Sequence, residues 1–99
     1  MNVKFTARHF KAHDTLKEHA QSSVEALTKY YDGILNAEVV LSFEKVQNSV
    51  KVCEITMAVH GKTLTSTAKS EEFEKSIDQA VEKIEAQLKK YKDKIRDVK

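Results

Sequence analysis

The sequence predicts a single α+β domain in which four strands form one sheet and two helices cover one of its faces. In four segments apolar and polar residues alternate, a pattern typical of strands with one buried face. In two longer segments apolar residues recur at three- and four-residue steps, as on the buried side of a helix. A chain of 99 residues has room for one modest core, so we expect one domain over residues 1–99.

The predicted order of elements is β-α-β-β-β-α. The strand patterns cover residues 2–8, 36–45, 50–60 and 62–69. A turn is expected at 47–49, and His60-Gly61 predicts a tight hairpin between the last two strands. A crossover through the first helix makes strands one and two parallel neighbours, and the remaining strands form an antiparallel meander. This two-layer sandwich is related to the double-stranded-RNA-binding arrangement.

Each predicted helix has recognisable ends. The first runs from about Asp14 to Tyr31, with His13 or Asp14 as its N-cap and Gly33 as a left-handed residue after its end. The second follows Ser70, which we assign as its N-cap, and continues to the end of the chain. Its buried stripe consists of Phe73, Ile77, Val81, Ile84, Leu88 and either Tyr91 or Ile95.

A polar stripe runs beside the buried face of the second helix. It contains Lys83, Gln87, Lys90 and Lys94, and Tyr91 lies near these lysines as a candidate for stacking on a base. The net charge is only +2, so an interaction with nucleic acid would depend on where the charge lies. Two interpretations stay open, a solvated helix face and a surface that contacts RNA phosphates.

No group of residues predicts catalysis. His9 and His13 have a spacing that two metal ligands could use, but they lie in a predicted loop without other ligands, so we expect neither metal nor cofactor. Cys53 is the only cysteine and fits a buried strand position. No apolar run approaches about 18 residues and no signal peptide is recognisable, so we expect a cytoplasmic protein without a membrane span.

Four segments resemble the ribosome hibernation-promoting factor family, also called ribosome-associated inhibitor or ribosomal subunit interface protein. Together they match in order and in spacing, and the resemblance extends over essentially the whole chain. The segments are Ala26-Leu27-Thr28-Lys29-Tyr30-Tyr31-Asp32, Val39-Val40-Leu41, Ser76-Ile77-Asp78 and the run from Lys83 to Lys94.

The resemblance implies the β-α-β-β-β-α sandwich and a non-enzymatic role in ribosome hibernation. Such a factor binds the small ribosomal subunit in the channel for messenger and transfer RNA, contacts its ribosomal RNA, and blocks translation. The resemblance assigns RNA contacts to Lys83, Gln87, Lys90 and Lys94 in the second helix and to Lys17 and Lys29 in the first. The chain resembles the short form, for which we expect a monomer when free and a separate factor that pairs ribosomes.

Four positions depart from the family pattern, among them Glu74, which stands where a tyrosine is common shortly before the Ile-Asp pair. Ser23 and Ala26 stand where the first helix is typically basic, and Ala86 stands where the second commonly has arginine. The resemblance therefore implies weaker RNA binding, or more reliance on the second helix. The alternative hypothesis is a protein-interaction module whose charged helices bind a protein regulator.

Overall fold

The computed structural model describes residues 2–44 and 50–97, with side chains as far as residue 94. The turn predicted at 47–49 and the side chain of Ile95 lie outside the described residues. The elements follow the predicted order: β1 (Asn2–Ala7), α1 (Asp14–Glu25), β2 (Ile34–Phe43), β3 (Lys51–Val59), β4 (Lys62–Ser70) and α2 (Phe73–Asp97). No helix among the described residues is long and apolar enough to span a membrane.

The four strands form one mixed sheet in the order β1-β2-β3-β4. The parallel pair is β1 and β2, with Val3 opposite Ala37 and Phe5 opposite Val39. The pairs β2–β3 and β3–β4 are antiparallel. Both helices pack on the same face, with α1 against β1 and β2 and α2 against β3 and β4. The predicted fold class, crossover and meander are therefore confirmed.

The first helix ends earlier than predicted, and Gly33 does not have the predicted left-handed backbone. The α-helix stops at Glu25 and continues as a 3-10 helix over Ala26–Lys29. Gly61 is the only described glycine with positive φ. A Cβ on Gly33 would collide with the ring of Tyr31, so the glycine is required for close packing of that ring. His13 is the N-cap residue, as predicted, although its side chain makes no capping hydrogen bond.

Ser70 is not the N-cap of the second helix, because the β3–β4 ladder extends further than its alternation suggests. Ser70 is the last residue of β4 and lies opposite Lys51. Its hydroxyl still accepts a hydrogen bond from the backbone N–H of Glu72 at 3.3 Å, in the turn before α2 begins at Phe73. The serine therefore stabilises the turn that connects β4 to α2.

The core lies between the sheet and the helix layer. The predicted inward residues of β3, from Cys53 to Val59, are at most 3% exposed. Burial raises the pKa of the Cys53 thiol to about 12, with a smaller contribution from the charge of Glu54, so the thiol is protonated at neutral pH. The helix contributes the fully buried side chains Ile77, Ala80, Ile84 and Leu88.

Two buried serines join α2 to the sheet by hydrogen bonds. Ser66 Oγ on β4 donates to the carbonyl oxygen of Ala80 on α2 at 2.8 Å. Ser76 Oγ on α2 donates to the carbonyl oxygen of Lys51 on β3 at 2.7 Å. Small residues at these positions allow the helix backbone to approach the sheet closely, and their hydroxyl groups are satisfied. The rotation of α2 about its own axis is therefore tightly determined.

We expect Leu88→Ala to lower the free energy of unfolding by about 2–5 kcal/mol, because a fully buried leucine leaves a cavity. Urea denaturation followed by circular dichroism measures this change. The control is Gln79→Ala, an exposed position on the same helix, which should change the value by less than about 0.5 kcal/mol. Equal losses in the two variants would contradict the packing of α2.

Candidate nucleic-acid interface

Along one flank of α2, side chains donate hydrogen bonds to backbone carbonyl groups of the β3–β4 hairpin. Lys83 Nζ donates to the carbonyl oxygen of Thr67 at 2.8 Å, and Gln87 Nε2 donates to that of Thr65 at 2.6 Å. The Tyr91 hydroxyl donates to the carbonyl oxygen of His60. The three donors follow one another at four-residue steps, so they share one flank of α2, which faces β4 and the β3–β4 hairpin. We call this side of α2 the hairpin flank. Lys83, Gln87 and Tyr91 therefore hold α2 in place.

A cleft of about 290 Å³ lies between the β3–β4 hairpin and the C-terminal half of α2. We call it the cationic cleft, and its lining residues are Lys62, Leu64, Gln87, Lys90, Tyr91 and Lys94. Lys90 and Lys94 are exposed. Among the carboxylates of residues 2–44 and 50–94, none lies within ion-pair distance of either ammonium group. The cleft can therefore attract an anion without first breaking an internal ion pair.

The opposite flank of α2 faces α1 and is internally paired. His19 Nε2 on α1 lies 2.7 Å from Asp78 Oδ1 on α2. Lys89 Nζ lies 3.1 Å from Glu85 Oε2 and 4.7 Å from the centroid of the Tyr30 ring. On this flank, Asp78 and Lys89 thus each have a partner within the fold. This contrast makes the hairpin flank the stronger candidate for binding a polyanion.

The predicted site residues do not all meet on one surface. Lys83, Gln87, Lys90, Tyr91 and Lys94 share the hairpin flank of α2, as the helical spacing predicts.

Lys17 is exposed on α1, which packs on the other flank of α2, and Lys29 is exposed at the end of the 3-10 helix that follows α1. Residues two apart on a helix point to nearly opposite sides, so Lys17 faces away from α2 where His19 faces towards it. Their contact with RNA stays a prediction.

The environment of Tyr91 limits its availability for stacking. Its ring is half-buried against the core and meets the Tyr31 ring edge-on, with centroids 6.2 Å apart. The Lys62 ammonium lies 5.9 Å from the centroid of the Tyr91 ring. Tyr30 is 37% exposed and is the more accessible ring, although it carries Lys89 against it. Stacking by Tyr91 stays a prediction.

Sequence reasoning missed Lys62. It begins β4, and the alternation of that strand shows only that its side chain lies outside the core. Its place in the cationic cleft follows from the hairpin turn, where Gly61 adopts φ +82° and β4 reverses onto β3. The sequence shows a lysine directly after the predicted His-Gly turn. It does not show which segment of the second helix this turn would approach.

The fold and this cleft define a small α+β sandwich with a cationic helix flank. The chain belongs to the family described as Sigma 54 modulation protein / S30EA ribosomal protein, which it matches over residues 3–96. The match confirms the family that the sequence segments indicated.

Individual relatives agree with this assignment. The chain is 28% identical over 94 residues to a ribosome hibernation promoting factor of Pseudomonas putida, covering 95% of this chain and 89% of that protein. It is 28% identical over 96 residues to the factor of the same name from Escherichia coli K12, covering 97% and 98%. A ribosomal subunit interface protein from Coxiella burnetii has the same fold, with TM-score 0.84, 24% identity and coverage of 93% and 98%.

We expect Tyr91→Phe to lower the free energy of unfolding by about 0.5–1.5 kcal/mol, because it removes the hydrogen bond to the hairpin and leaves the ring. Thermal or urea denaturation measures the change. Tyr30→Phe is the matched control, since the Tyr30 hydroxyl makes no hydrogen bond to the described residues. If Tyr30→Phe is as destabilised as Tyr91→Phe, the hydrogen bond from Tyr91 to His60 does not stabilise the fold.

Proposed function

We propose that this chain is a ribosome hibernation factor. It binds the small ribosomal subunit in the channel used by messenger and transfer RNA, and it blocks translation by occupying that space. Membership of the S30EA ribosomal protein family and the names of near full-length relatives support this proposal. Its place of action is the cytoplasm, where ribosomes translate.

The uncompensated lysines of the hairpin flank are the observation that carries the proposal. Lys90 and Lys94 line an open cleft and have no carboxylate partner among residues 2–44 and 50–94, whereas Lys89 on the other flank is paired with Glu85. Ammonium groups that neutralise RNA phosphates release counterions, and this release supplies much of the affinity. Phosphate contacts fix position and orientation on a folded RNA, which is what a channel-blocking protein requires.

Lys83 and Gln87 have a dual role in this proposal. An ammonium group has three N–H donors, and one of those of Lys83 is used by the carbonyl oxygen of Thr67. Its charge and its remaining donors are still available to a phosphate. Gln87 likewise keeps its second N–H and its carbonyl oxygen. Lys17 and Lys29 would add contacts from the exposed side of the first helix.

The mechanism we propose is steric and involves no chemical step. The helix layer is fixed to the sheet by a buried apolar stripe and by the two serine hydrogen bonds, so the protein enters the channel as a rigid body. Rigid binding avoids the entropic cost of ordering loops. Cys53, with its pKa near 12 and its buried side chain, has no role in binding.

We expect Lys90→Glu/Lys94→Glu to abolish co-sedimentation with small ribosomal subunits, because it replaces two attractive charges with repulsive ones next to RNA phosphates. Sucrose-gradient sedimentation at several salt concentrations measures binding. The control is Lys11→Glu/Lys75→Glu, which changes the net charge equally at two exposed positions outside the cleft.

The salt series also separates RNA binding from binding to a protein regulator. With four to six phosphate contacts, wild-type affinity should fall by roughly two to three orders of magnitude between about 50 and 200 mM salt. Wild-type binding that ignores salt, or a cleft variant that binds as well as the control, would contradict the RNA interface.

We expect Ala86→Arg to strengthen small-subunit binding and to steepen its salt dependence by about one counterion. Ala86 is exposed and precedes Lys90 by one helical turn, so a new guanidinium group would extend the cationic flank. Repulsion from Lys90 and attraction to Glu82, each one turn away and each worth about 0.2–0.5 kcal/mol, should roughly cancel in their effect on stability. Ala86→Gln, with a neutral side chain of similar reach, is the control. Unchanged binding by the arginine variant would place the RNA away from this turn.

A further inference from the structure

Lys62 adds a second wall to the cationic cleft. Its side chain comes from the β3–β4 hairpin, whereas Lys90 and Lys94 come from α2, and all of these lysines line the same space. Lys62 is exposed. Among the carboxylates of residues 2–44 and 50–94, none lies within ion-pair distance of its ammonium group. The cleft therefore presents ammonium groups from two elements that are far apart in the chain.

The hairpin is held against the helix before any ligand binds. The Tyr91 hydroxyl donates to the carbonyl oxygen of His60 at the turn. The ammonium of Lys62 lies 5.9 Å from the centroid of the same tyrosine ring, within the range of a cation–π interaction. Gly61, with φ +82°, allows the turn itself. Binding would therefore require little ordering of the hairpin.

The lining of the cleft suits a phosphodiester. Its charged groups are lysines, which bind phosphate as point charges, and no acidic residue lines it. The partly buried Tyr91 ring forms an apolar part of its wall, against which a ribose could pack, with the buried Leu64 beneath it. A volume of about 290 Å³ exceeds that of a single phosphate group and leaves room for part of the adjoining sugar.

We propose that Lys62 is a phosphate-binding residue and that the β3–β4 hairpin, together with α2, forms a two-sided seat for one backbone phosphate of ribosomal RNA. This inference rests on the proposed function, because it assigns the ligand to the same RNA. It extends the interface from a helix flank to a cleft between a helix and a strand turn.

The test compares Lys62→Gln with Lys75→Gln, which removes the same charge from an exposed position at the other end of α2. Binding of each full chain to purified small ribosomal subunits is measured from about 50 to 200 mM salt. Loss of one contact should lower the slope of log affinity against log salt by about 0.7–0.9. The affinity difference between wild type and Lys62→Gln should accordingly narrow about threefold over this range. Lys75→Gln should follow wild type, and Lys62→Arg should retain the slope.

Each outcome decides between the two proposals. If wild type binds with the expected salt dependence and Lys62→Gln behaves as Lys75→Gln does, Lys62 does not contact a phosphate. The proposed function is then unaffected. If Lys62→Gln weakens binding without changing the slope, Lys62 does not contact a phosphate. If wild type itself does not bind small subunits, the proposed function fails, whatever the variants do.

Discussion

The buried stripe of α2 packs against the inward residues of β3 and β4, and this packing determines the direction of every other side chain on the helix. Ile77, Ile84 and Leu88 are fully buried in it. The hydrogen bonds of Ser66 and Ser76 to the facing backbone permit one rotation of the helix. With that rotation set, Lys90 and Lys94 open onto the hairpin, while Lys89 turns towards α1. The candidate interface thus depends on apolar packing as much as on its own charges.

The two flanks of α2 differ in how their polar and charged side chains are paired within the fold. On the side of α1, Lys89 and Asp78 each have a partner within the fold. On the side of the hairpin, Lys83 and Gln87 donate to neutral carbonyl groups, so the positive charge of Lys83 is not compensated by its partner. A net charge of only +2 therefore conceals a local field. The distribution of partners, which only the fold reveals, shows how a nearly neutral chain can still present one surface of positive charge.

The fold was largely predictable from the sequence, because alternation and helical spacing are local properties of the chain. The spacing of Lys83, Gln87, Lys90 and Lys94 placed them on one flank correctly. The ends of elements were less predictable, since Gly33 is required by contact with the Tyr31 ring and β4 extends to Ser70 by pairing with Lys51. The approach of Lys62 to Lys90 and Lys94 joins a strand to a distant helix, and no local pattern encodes such a contact. The same is true of the tether from Tyr91 to His60.

The bonds from Lys83 and Gln87 to β4 have a consequence for self-association. β4 is the last strand of the sheet, and an unprotected edge strand is a template for adding a strand from another molecule. The carbonyl groups of Thr65 and Thr67 already accept hydrogen bonds from side chains of α2, so they are less available to a strand from another molecule. Replacing Lys83 or Gln87 would uncover this edge, so such variants would gain a tendency to aggregate in addition to any change in RNA affinity.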